Sequence, residues 1–261
     1  MKYNKIMLFF GIAVIFSTVI RFFQINYTIE FETGFFKTGY ETIGYFILVA
    51  IFVVSLLTAT FSKITHKKPE HPPQQNLPLG IVAFLPAIGI GYEVFLSNSS
   101  VFTGSVQTLL LKISGAFAVL FFIYFGVSQI ISLKLNPLST IIPCIYVILK
   151  IICDFTSISS LALISDNIFL IGGYCLILLF MLNLTKLYNN INEDTGFRRL
   201  LASGTAASVL CISQSIPYLI INLFNDNTYN HISSSANFSI LAIGLFITAF
   251  ILVHFSDKNI D

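Results

Sequence analysis

Tryptophan is absent from the sequence and charge is scarce: Asp, Glu, Lys and Arg make up 10% of it, against about 25% in a soluble domain. Without indoles, tyrosine must supply any aromatic belt at a membrane interface, and Tyr3, Tyr40, Tyr45, Tyr188 and Tyr218 lie near expected helix ends. A formal net charge of +2 is too small for an electrostatic case for nucleic acid or acidic partners. Cys144, Cys153, Cys175 and Cys211 each fall in an apolar run and form no CxxC pair, which argues against disulfides and zinc. His66, His71, His231 and His254 are scattered, whereas a metal site needs converging ligands. No HExxH, GxSxG or glycine-rich phosphate loop occurs, so no motif points to an enzyme or a cofactor.

What the chain has in abundance is apolar length. Hydrophobic residues are 56% of 261, and 27 are phenylalanine. Runs of roughly 18–22 apolar residues read as transmembrane helices, and about eight are present: 6–23, 43–61, 79–96, 109–131, 138–158, 168–188, 200–224 and 238–255. The first follows a short basic start but ends at Arg21, Phe22, Phe23 and Gln24 with no small-residue cleavage site. It is expected to be a retained helix, not a signal peptide. No connector is long enough for a soluble domain. The longest are 24–42 and 62–78, the second basic and proline-rich (KITHKKPEHPPQQNLP) and hence extended. The expected fold is one all-α integral membrane domain, a bundle of about eight transmembrane helices.

Basic residues orient it. An N-terminus inside gathers Lys2, Lys5, Lys63, Lys67, Lys68, Lys134, Lys186, Arg198, Arg199 and Lys258 on one face of the membrane, which the positive-inside rule makes cytoplasmic. Both termini are then cytoplasmic. The third run is short and holds Pro86, Gly89 and Gly91, so a re-entrant hairpin or a broken helix is conceivable there. A hairpin would move Lys186, Arg198 and Arg199 outside, and a full crossing fits better.

A charge within the hydrocarbon is costly and is read first as functional. Glu93, Lys112, Lys150 and Asp154 are the candidates, with Gln214 on the seventh run. At the helical rise, Lys150 sits about 3 Å and Asp154 about 9 Å beyond the midplane of the fifth run. Glu93 and Lys112 fall near the outer ends of theirs. Lys150 and Asp154 share one helix face with Pro143, Tyr146 and Ser157. A second stripe runs through Gly204, Ser208, Cys211, Ser215, Tyr218 and Asn222, flanked by Gln214 and Pro217. Such stripes face protein or water, not lipid. One account is a polar cavity open to the outside, with Glu93 and Lys112 at its mouth. The other is helix packing by small and polar residues, with the charges paired or snorkelling. Glu93 is the expected partner of Lys150, and Lys112 of Asp154.

The ETGFFK run at 32–37 echoes DTGFRR at 194–199, and both are expected to be glycine turns. With Arg21 and Gln24 closing the first run, ETGFF at 32–36 and RRLLASG at 198–204, the chain resembles uncharacterised multi-pass membrane proteins of Gram-positive anaerobic bacteria. That resemblance implies residence in the bacterial cytoplasmic membrane and no particular activity. Two functions are carried forward: a carrier or binding protein for a small polar solute, and a non-catalytic sensor, assembly factor or subunit that meets a membrane protein partner. Neither requires a cofactor.

Overall fold

The computed structural model describes residues 2–30, 34–65, 76–96, 106–133, 135–158, 165–189, 191, 193–224 and 234–256. His66, His71 and His231 lie outside the described residues. Apart from one bridge between Ile29 and Phe36, the regular structure described is helical. The helices are α1 (Lys2–Thr28), α2 (Glu41–Thr65), α3 (Leu77–Val82), α4 (Phe84–Gly91), α5 (Val106–Ile131), α6 (Ile142–Ile158), α7 (Ser165–Tyr188), α8 (Glu193–Phe224) and α9 (Ser234–Ser256). A π turn at Tyr92–Leu96 extends α4, and a 3-10 turn at Pro137–Ile141 leads into α6. Among the described residues, eight segments are long and apolar enough to cross a membrane, and the chain is a multi-pass membrane protein.

The helices are apolar on their outer faces and turn their polar side chains inward, because the solvent is lipid and only protein can satisfy a polar side chain there. On α1, Leu8, Ile12, Ile15, Val19 and Phe23 are exposed, while Ser17, Arg21, Gln24 and Thr28 are buried at steps of four, three and four. On α2, Ser55, Thr58 and Ser62 are buried; the Ser55 hydroxyl donates to the Ala206 carbonyl at 3.2 Å.

The third span is one crossing, interrupted but not reversed. The N–H that proline lacks is the one Val82 would receive from Pro86, and α3 ends at Val82. Past this break the segment stays antiparallel to α5: Gly80 lies against Gly126, Gly91 against Val119 and Val94 against Gly115.

Helix neighbours close a ring. α8 packs on α9, α9 on α4, α4 on α5, α5 on α6, α6 on α7 and α7 on α8. α1 and α2 pack on each other and on α8, outside this ring. One half of the ring is filled by aromatic side chains in edge contact. Phe122 and Phe125 both stand 5.4 Å from Phe246, and Phe180 stands 5.6 Å from Phe250. Charged and hydroxyl side chains occupy the other half, the polar end.

The DTGFRR run corrects one expectation. It lies inside α8, which starts at Glu193. In the first run, Gly34 takes a left-handed φ of 73° in the α1–α2 turn; Glu32 and Thr33 lie outside the described residues.

Candidate functional site

Steps of four along α6 place Tyr146, Lys150 and Asp154 on one face, and that face looks into the ring. Lys150 Nζ stands 3.0 Å from Asp154 Oδ1 and 2.8 Å from Glu93 Oε1. Glu93 reaches it from the π turn of the third span. The Lys150 ammonium also lies 5.9 Å from the centre of the Tyr174 ring of α7. Each side chain of the triad keeps 9–10% of its surface exposed.

Two tyrosines stand beside the triad. Tyr146 and Tyr174 are 0–1% exposed, and both feel the charges of Glu93 and Asp154. The Tyr146 hydroxyl faces Ser239 of α9, but neither oxygen closes a hydrogen bond of regular geometry. The Tyr174 hydroxyl likewise has no hydrogen-bond partner among the described residues. Leaving a buried polar group unmatched costs about 1–3 kcal/mol. An unmatched hydroxyl beside an ion cluster suits a polar occupant.

A second polar node lies on the other side of α8. Arg21 donates from Nε to Gln214 Oε1 at 3.2 Å, from one terminal nitrogen to Gln24 Oε1 and from the other to Asp166 Oδ1. Its guanidinium carbon stands 4.1 Å from the Phe169 ring centre, a cation–π contact. Gln24 passes the connection on, donating to the Gly44 carbonyl at 2.7 Å. α1, α2, α7 and α8 are thereby joined at one point. Arg21 and Asp166 are 0% exposed.

Of the residues singled out from sequence, Glu93, Lys150 and Asp154 come together. Gln214 does not join them; it belongs to the Arg21 node. Lys112 is exposed on α5 and does not pair with Asp154, whose ammonium partner is Lys150. The α8 stripe packs helices. Gly204 meets Phe180 and Ile251, and Cys211 fits between Gly173 and Gly244. Sequence reasoning missed the Arg21–Asp166 pair, since Arg21 closed the first expected span and Asp166 preceded the sixth. The available signal was the stripe Ser17, Arg21, Gln24 and Thr28. No group of three or more His, Cys, Asp or Glu suited to a metal ion occurs among the described residues. No family pattern, curated protein or solved structure matches the chain.

Proposed function

We propose that the protein is a non-enzymatic carrier or binding protein for a small polar solute in a bacterial cytoplasmic membrane. Its site is the ring interior around Glu93, Lys150 and Asp154, and its polar end faces outward. The observation that carries this reading is the charged triad with the buried Tyr146 and Tyr174 beside it, the Tyr174 hydroxyl having no hydrogen-bond partner among the described residues. Charges of both signs suit a solute that is itself polar or zwitterionic. The phenylalanine contacts among α5, α7 and α9 would close the path on the opposite side. Such an arrangement fits a carrier whose site opens to one side at a time.

A thermal-shift screen of small polar solutes on the purified protein tests the proposal. A matching solute should raise the unfolding midpoint of wild type and not that of the Lys150→Met/Asp154→Asn double variant. A response retained by the double variant, or no stabilising solute at all, would count against the site. A stoichiometric membrane partner recovered from mild detergent would favour the second function, a subunit or sensor. The Arg21 node, which joins helices and leaves no room for a solute, suits that reading too.

A further inference from the structure

We infer that the solute held at the triad is a short zwitterion of the amino-acid kind. It enters between Glu93 and Lys150, its ammonium meeting the carboxylate and its carboxylate meeting the ammonium. The inference rests on the carrier reading and names the class of solute. Lys150 is held in two different ways. Asp154, 3.0 Å away, lies one turn along the same helix. Glu93, 2.8 Å away, belongs to another segment, the π turn of the third span. The contact within α6 lasts as long as the helix does, whereas the contact between segments opens when the segments part. Lysine ahead of aspartate is the weaker order for a pair along one helix, so Lys150 still favours a second anion once Glu93 has left it.

Opening the Glu93–Lys150 contact bares one charge of each sign, side by side, where an uncompensated charge is costly. A neutral solute answers neither charge, and a singly charged one answers one and leaves the other. A zwitterion answers both and adds no net charge, whatever else Glu93 and Asp154 touch. Because Glu93 and Lys150 begin in contact, the two charges of the solute must lie close together. The surroundings fit such a guest. Tyr146 and Tyr174 are buried beside the triad, and of its two carboxylates Glu93 acts the more strongly on both. The Tyr174 ring centre lies 5.9 Å from the Lys150 ammonium, and its hydroxyl has no hydrogen-bond partner among the described residues. Aromatic walls with a few placed polar groups are the usual make-up of a small-molecule site. The backbone that presents Glu93 is irregular on both sides: α4 has eight residues, with the break after Val82 before it and the π turn after it. Interrupted helices of this kind carry substrate contacts in many carriers.

The test is thermal unfolding of the purified full chain in detergent, at constant ionic strength. The probes are the L-amino acids of proteins, β-alanine and γ-aminobutyrate, with sugars and polyols as neutral solutes. For any amino acid that stabilises, its amide offers the ammonium alone and its N-acetyl form the carboxylate alone. At least one amino acid should raise the midpoint saturably, the folded-to-unfolded ratio rising about a hundredfold at about 100 times the dissociation constant. Each blocked form should need about ten times the concentration or more for the same rise. Glu93→Gln should raise the half-saturating concentration of the parent amino acid by a similar factor. If that variant fails to fold, Tyr174→Phe, which keeps the ring, should raise it about threefold. Lys112→Gln should respond like wild type. Amino acids also stabilise proteins as excluded osmolytes, but that rise does not saturate and survives Glu93→Gln; such a rise alone overturns the inference. So does a blocked form that equals its parent. A response to phosphatidylethanolamine but to no free amino acid overturns it too, in favour of a lipid headgroup. A saturable response to a neutral solute and to no zwitterion removes the solute class and leaves the carrier reading standing, whereas no saturable response to any probe removes both.

Discussion

Arg21 donates to three acceptors on three helices while wholly buried. A guanidinium does this because its donors are fixed in one plane; a lysine ammonium in its place has a different shape and reach. Removing either member of the pair takes the counter-charge from the other buried charge, which costs about 3–5 kcal/mol. Arg21→Met and Asp166→Asn are each expected to lower stability by about that much, and Arg21→Lys to recover only part. The double variant should be more stable than the sum of the singles implies. Chemical unfolding in detergent measures all four, and strictly additive losses would mean that the pair is not coupled. The residue types at this node were visible in the sequence, but their meeting was not. Arg21 and Asp166 are 145 residues apart, and both fell at the margins of hydropathy windows, where charge ends a run. Lys150 and Asp154 were legible because they are four apart on one helix. The place of Lys112 was not, since depth along a helix says nothing about which way a side chain faces.

At the scale of the element, helices approach closely wherever glycine permits. A methyl group added at Gly126 would stand 2.9 Å from the Gly80 carbonyl oxygen and 3.2 Å from Phe84 ring carbons, and one at Gly80 would meet Gly126 in the same way. Backbone cannot yield as a flexible side chain does. Gly126→Ala is therefore expected to cost about 1–3 kcal/mol, whereas Gly11→Ala, with nothing within 4 Å, should be neutral or better by thermal unfolding. Equal effects of the two would remove the close crossing of α3 and α5. Helix number and order were legible because an apolar run of bilayer length has one economical structure. The boundaries were less so. α1 continues through Gln24 and Asn26 to Thr28, since these polar side chains return to protein: Asn26 donates to the Phe22 carbonyl and Thr28 to the Gln24 carbonyl.

Across the whole molecule, the ring and the α1–α2 pair share α8, whose span is 67% buried against 28% for α1. The positive-inside rule predicts a direction for this assembly. Thr38, in the α1–α2 connector, and Leu133, after α5, are exposed at opposite ends of the bundle. With cytoplasmic termini, a membrane-impermeant maleimide on intact cells should label Thr38→Cys and not Leu133→Cys, in a background lacking the four native cysteines. The reverse pattern would invert the protein and put the triad on the cytoplasmic side.

The Arg21 node also bears on how the protein is made. Translation proceeds at about 5–20 residues per second, so the carboxylate of Asp166, 145 residues downstream, emerges roughly 7–29 s after the arginine. In that interval Gln24 is the one node partner already synthesised alongside Arg21. The first helix therefore enters the bilayer carrying a charge that its own sequence cannot neutralise. Its final seat must wait for the sixth and seventh spans, which makes completion of the chain a condition for anchoring its beginning.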